Sequence, residues 1–89
     1  MAVQRMEKSA APGFCTPDMY EGAFLLARGH RMVNVAPING RFAFEFELSG
    51  NLDGDRTEFR NNGMVGVRDL IGCIFALKRA MREAERGGL

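Results

Sequence analysis

The dipeptide Asn39-Gly40, between two segments rich in apolar residues, constrains the fold of this chain more than any other feature. Asn-Gly is the preferred pair for a two-residue type I′ turn in a β-hairpin. After the turn, phenylalanine occupies every second position from 42 to 46, so one face of the second strand is apolar. The turn predicts these cross-strand pairs: Val35 with Phe44, Val33 with Phe46, Asn34 with Glu45 and Met32 with Glu47.

A helix is predicted on each side of this hairpin. Helix 1 is expected from about Pro17 to Arg28, because Thr16 suits the N-cap and proline suits the first helical position. Gly29 suits the position just past its end. A long second helix is expected from about Val67 to Glu85. Its apolar residues at helical spacing predict a core stripe of Val67, Leu70, Ile71, Ile74, Leu77 and Met81.

The segment between the hairpin and the long helix leaves two alternatives open. Asp53-Gly54 is typical of a turn, and residues 55–60 fit either a short third strand or a helical turn. Asn61-Asn62-Gly63 then ends that segment. The predicted fold class is α+β: an antiparallel sheet of two or three strands, with two helices packed on its phenylalanine face.

A chain of 89 residues is long enough for one domain and one core. We expect a flexible N-terminal tail over residues 1–14, a single α+β domain over 15–86 and a disordered C-terminus over 87–89. The beginning of the sequence lacks the pattern of a signal peptide, and no apolar run approaches the length of a membrane span. We therefore expect a cytoplasmic protein without membrane contact, whose Cys15 and Cys73 stay reduced.

Three segments resemble a family of small bacterial and phage domains of unknown function. They are the helix ending in Ala27-Arg28-Gly29-His30, the strand Gly40-Arg41-Phe42-Ala43-Phe44-Glu45-Phe46 and the closing helix from Val67 to Met81. The resemblance covers roughly residues 15–85. It implies an α-β-β-α arrangement and no activity, because this family has no functional residues to carry over.

No set of residues has the spacing of a catalytic or metal site. His30 is the only histidine, and we expect it to be an exposed loop residue, roughly 20 Å from Cys15 across helix 1. Asn51, Asp53, Asp55 and Thr57 lack the glycine and glutamate positions of an EF-hand. The predicted protein is therefore not an enzyme and binds no metal or cofactor.

The long helix carries the most suggestive polar pattern. Its predicted polyanion contact consists of Arg68, Phe75, Arg79, Arg82 and Arg86. These residues lie within about 60° of one another around the helix axis at about 100° per residue. Arginines with an interleaved aromatic suit phosphate contact and base stacking. The alternative is an ordinary solvated face, in which cations near the helix C-terminus complement the helix dipole and Arg79 pairs with Glu83.

Small residues form a second pattern on the long helix, a ridge of Gly72, Ala76, Ala80 and Ala84. The ridge permits a close helix contact, either with helix 1 or with the same helix of a second chain. Leu25, outside the apolar arc of helix 1, also suggests a further contact. The leading hypothesis is therefore a homodimeric protein-interaction module with an unknown protein partner. The alternative is a nucleic-acid-binding accessory protein that uses the arginine face.

Overall fold

The computed structural model describes residues 13–48 and 50–87. Its elements, in chain order, are β1 (Gly13–Thr16), α1 (Met19–Ala27), β2 (Met32–Ile38), β3 (Arg41–Glu47), α2 (Leu52–Arg60) and α3 (Val67–Gly87). The three strands form one antiparallel sheet in the order β1-β3-β2. The predicted α+β fold class, with a long C-terminal helix, is confirmed.

The hairpin turns where the sequence predicts. Asn39 has a φ of 52° and Gly40 a φ of 79°, the two positive values that a type I′ turn requires. Val35 pairs with Phe44, and Asn34 pairs with Glu45, as predicted. These pairs place Phe44, which is 1 % exposed, in the core.

A β-bulge makes the other two predicted pairs wrong. Met32, not Val33, lies opposite Phe46, because the register shifts between Met32 and Asn34. The extra residue in a bulge has no partner on the other strand. Met32 therefore turns toward the core, while Val33 is 48 % exposed.

The third strand comes from the N-terminal side, not from residues 55–60. Residues 1–12 of the predicted tail lie outside the described residues, but Gly13 and Phe14 belong to β1. In β1, Phe14 pairs with Phe46 and Thr16 with Phe44. The central strand β3 is thus paired with a neighbouring strand along both of its edges. Four residues are too few to display a recognisable alternation, so the sequence pattern did not reveal β1.

Helix α1 begins two residues later than predicted. Its N-cap is Asp18, not Thr16, and the Asp18 carboxylate accepts hydrogen bonds from the backbone N–H groups of Tyr20 (2.8 Å) and Glu21 (3.3 Å). Thr16 cannot take the cap position because it is the last residue of β1.

Gly29, with a φ of 93°, follows the end of α1 as predicted. Its N–H bonds the carbonyl of Leu26 at 2.9 Å, and the N–H of His30 bonds that of Leu25 at 3.0 Å. This pair of bonds is the Schellman motif. It fixes the backbone of His30 next to the C-terminal end of α1.

Residues 55–60 are helical, so the second of the two alternatives is correct. They belong to α2, which also contains Asp53-Gly54, and the predicted turn at that dipeptide is wrong. The helix ends where predicted: Asn62 has a φ of 62°, and the N–H of Gly63 bonds the carbonyl of Glu58 at 2.6 Å.

The core lies between the sheet and the helices. Its fully enclosed members are Ala23, Leu25, Phe44, Phe46, Leu52 and Leu77. Leu25 is 0 % exposed, so it offers no apolar surface to a second chain.

The predicted core stripe of α3 is correct for Leu70, Ile74, Leu77 and Met81. It is wrong for Val67, 72 % exposed, and Ile71, 47 % exposed. Helix α3 is about 31 Å long and α1 only about 14 Å at 1.5 Å per residue. Helix α1 therefore covers only part of the length of α3.

The described chain ends with α3, which includes Gly87. The remaining two residues of the predicted disordered C-terminus, 88–89, lie outside the described residues. None of the helices in residues 13–48 and 50–87 combines the length and the apolar content needed to cross a membrane.

Candidate functional site

The outer face of α3 contains all five residues of the predicted polyanion contact, and every one of them is exposed. Ile71 lies beside them, and Phe75 is 60 % exposed. We call this surface the basic–apolar face and define it as Arg68, Ile71, Phe75, Arg79, Arg82 and Arg86. At about 100° per residue it spans about 80° of the helix circumference, and no acidic residue falls inside that sector.

The arginines of this face form no ion pair within 4 Å with any described residue. The ion pairs in residues 13–48 and 50–87 involve only Arg28, His30 and Arg56 as cations. Arg79 and Glu83 do not pair, so the predicted intrahelical pair is absent. The positive charge of the face is therefore available to a partner. The other ground for an ordinary solvated face remains, because Arg86 lies in the last turn of α3, where a cation complements the helix dipole.

Charge and apolar surface alternate along this face. Arg68 lies at one end, Ile71 and Phe75 follow, and the remaining arginines lie beyond them. Arg68 and Arg79 are eleven positions apart, about 16 Å along the helix axis. The face is therefore basic at both ends and apolar between them.

The predicted ridge of small residues does not form one packing surface within the chain. Gly72 and Ala76 are exposed, while Ala80 and Ala84 are half-buried. A Cβ atom added at Gly72 would meet nothing within 4 Å. The N-terminal half of the ridge is thus open.

The close approach of α1 to α3 occurs at Gly22, which the sequence did not indicate. A Cβ atom added there would lie 3.3 Å from Leu77 Cδ1. This contact fixes the spacing of the two helices.

A second exposed apolar region surrounds the connection between α2 and α3. A cavity of about 170 Å³ opens there, lined by Tyr20, Phe24, Phe59, Asn62, Gly63, Val65 and Leu70. Met64 lies between two lining residues and is 84 % exposed, and Val67 begins α3. We define the junction surface as this cavity together with the exposed side chains of Tyr20, Met64 and Val67. Sequence reasoning missed it, although Met64-Val65 between two glycines was a visible apolar signal.

A polar contact between α1 and α2 fixes the position of this junction. Asp55 accepts a hydrogen bond from Arg28 Nη1 at 2.5 Å, and its other oxygen lies 2.7 Å from His30 Nε2. Arg28 Nη2 also donates to the carbonyl of Met64 at 3.1 Å. The Arg28 guanidinium therefore links the end of α1, helix α2 and the connection to α3.

The prediction that His30 is an exposed loop residue is wrong. Its side chain is only 7 % exposed, because the Schellman turn directs it toward α2. The signal for this contact was the helical spacing of Leu52, Asp55 and Phe59, which indicates an amphipathic helix.

A second ion pair joins the same two helices. Arg56 Nε lies 3.2 Å from Glu21 Oε2, and the Thr16 hydroxyl donates to Glu21 Oε1 at 2.7 Å. The Arg56 guanidinium also lies 3.9 Å from the centre of the Phe14 ring. The polar atoms in these contacts are paired with one another. We therefore assign these residues a role in the stability of the fold.

Both cysteines are free thiols. Burial, with a smaller contribution from the nearby Glu45 carboxylate, raises the pKa of Cys15. Burial, with a smaller contribution from Asp69, raises the pKa of Cys73. Both are therefore predominantly protonated at neutral pH. Within residues 13–48 and 50–87 no three histidine, cysteine or acidic side chains are grouped as a metal site would require.

A scan against models of protein families finds no match to this chain. Searches of curated proteins and of solved structures also find none. The resemblance to small bacterial and phage domains of unknown function therefore stays a prediction.

Proposed function

We propose that this protein is a non-enzymatic protein-interaction module that assembles as a homodimer through the junction surface. The observation that carries the proposal is the exposure of Met64 (84 %), Val67 (72 %) and Tyr20 (60 %) around an apolar cavity. Exposed apolar surface of this kind is typical of interaction sites.

A second copy suits this surface because a two-fold contact requires a patch that complements itself. Met64 is exposed and lies in the chain between the lining residues Gly63 and Val65, so two copies related by a two-fold axis can each offer a methionine to the other's cavity. Phe24 and Phe59 line that cavity. Methionine is flexible, and its sulfur interacts favourably with aromatic rings.

The non-enzymatic part of the proposal draws on the state of the reactive side chains. His30, the only histidine, is occupied by Asp55, and both thiols have raised pKa values. Two free thiols also suit a reducing compartment, so we propose a cytoplasmic location.

Light scattering on the wild-type protein at micromolar concentration tests the dimer. We expect a species of twice the 9.9 kDa chain mass. Met64→Glu should shift it to monomer without unfolding it, because the side chain is exposed in the single chain. Thr57→Glu, at an exposed position of α2, is the matched control and should leave the dimer intact. A wild-type species of one chain mass at this concentration would contradict the proposal.

A second candidate function is nucleic-acid binding through the basic–apolar face. It is favoured by four exposed arginines that form no ion pair with any described residue and by the exposed ring of Phe75. Retention on heparin or duplex DNA that falls steeply with salt would support it. Arg79→Ala with Arg82→Ala should then reduce the salt slope by about 2, and Arg60→Ala, on α2, should reduce it less.

A further inference from the structure

We infer that the basic–apolar face of α3 binds an acidic amphipathic segment of another protein, with acidic residues at both ends and apolar residues between them. The inference rests on the proposed function, because it names the partner class of an interaction module. The basic–apolar face shares no residue with the junction surface, although the two surfaces adjoin where Val67 precedes Arg68.

Charge complementarity selects this partner. The face contains no carboxylate, and its four arginines form no ion pair within the described part of the chain, although the chain as a whole has a net charge of only +1. A second copy of the same face would bring like charges together, which costs free energy. The face is therefore better suited to a negatively charged partner than to itself.

The apolar middle of the face distinguishes an acidic protein from a nucleic acid. Ile71 and Phe75 occupy most of the roughly 16 Å between Arg68 and Arg79. A nucleic-acid backbone carries phosphates along its whole length and would place them over Ile71, where no cation compensates their lost hydration. An amphipathic helix can place apolar side chains there and carboxylates over the arginines at both ends.

Gly72 provides room for such a partner. It is exposed and lies about 20° outside the Arg79 edge of the face at about 100° per residue, and nothing lies within 4 Å of the position of an added Cβ atom. A partner backbone can therefore approach α3 closely along this edge of the face.

The test uses two synthetic peptides of about 18 residues, the length that matches about 27 Å of α3 from Arg68 to Arg86. The patterned peptide has glutamates at both ends and a helical stripe of leucines between them. The scrambled peptide has the same composition without the stripe. Fluorescence anisotropy should show binding of the patterned peptide at least about tenfold tighter than binding of the scrambled one.

Variants assign the binding to this face. Phe75→Ser and Ile71→Ser should each weaken binding of the patterned peptide by about tenfold, and circular dichroism should show that both remain folded. Arg79→Ala with Arg82→Ala should weaken binding and reduce its salt dependence. Arg60→Ala, an exposed arginine on α2, should bind like the wild type.

Three results would overturn the inference: equal binding of the two peptides, tighter binding of duplex DNA than of the patterned peptide, or no binding of any probe. Light scattering on the same samples separates this inference from the proposed function. A dimer that dissociates with Met64→Glu but binds no peptide supports the proposed function alone. A Met64→Glu monomer that still binds the patterned peptide supports two independent surfaces.

Discussion

Two regions of this protein place charged residues in opposite environments. Between α1 and α2, Glu21, Arg28, Asp55 and Arg56 are buried or half-buried, and each has a partner of opposite charge. On the outer face of α3, the arginines are exposed and form no ion pair with any described residue.

The difference separates charges that hold the fold together from charges that are available for binding. Breaking a buried ion pair leaves an uncompensated charge and costs several kcal/mol. Removing an exposed charge without a partner changes the free energy of unfolding very little. Mutations in the two regions should therefore affect different measurements.

The largest effect is expected for Asp55→Ala. Arg28 and His30 would both lose their carboxylate partner, and the free energy of unfolding should fall by about 3 kcal/mol. Urea denaturation measures this change. Asp53→Ala, an exposed carboxylate in the same helix, is the control and should cost less than about 1 kcal/mol. Equal losses for the two variants would mean that the Asp55 contacts do not stabilise the fold.

A smaller loss is expected for Glu21→Ala. The variant leaves the Thr16 hydroxyl and the Arg56 guanidinium without an acceptor, so the free energy of unfolding should fall by about 1–3 kcal/mol. Arg56 is 31 % exposed in its side chain and can return to water, which keeps the loss below that of Asp55→Ala. A loss larger than that of Asp55→Ala would mean that the contacts of Glu21 stabilise the fold more than the contacts of Asp55 do.

A small gain is expected for Gly72→Ala on the open side of α3. Alanine is favoured over glycine in a helix interior by about 0.5–1 kcal/mol, and the added methyl group has free space. Thermal unfolding of the variant should show a higher midpoint. If the midpoint falls instead, another chain already occupies the space above Gly72.

The smallest effect on stability is expected for Arg79→Ala with Arg82→Ala. Neither side chain has an ion-pair partner among the described residues, so the free energy of unfolding should change by less than about 0.5 kcal/mol. The same variant should lose most of its binding to the patterned acidic peptide. A loss of stability above about 1 kcal/mol would show that these arginines belong to the fold and would remove the contrast between the two regions.

Local patterns were sufficient for the turn of the hairpin, the long helix and the arginines on its outer face, but not for the β-bulge between Met32 and Asn34. Asn39-Gly40 determines its turn through backbone preferences of two adjacent residues, and alternation places Phe44 and Phe46 on one face. Helical spacing alone groups the arginines, because α3 keeps one period over its whole length. Such features depend only on neighbours along the chain.

Only the tertiary structure determined which elements and side chains contact one another. The sequence did not show that β1 completes the sheet, that α2 covers α1, or that His30 is buried against Asp55. It also could not show that Val67 is exposed beside a cavity. Periodicity identifies an apolar stripe on a helix but does not tell how much of that stripe another element packs against. Contacts between residues 25 or more positions apart, such as His30 and Asp55, depend on how whole elements pack, and no local pattern records that packing.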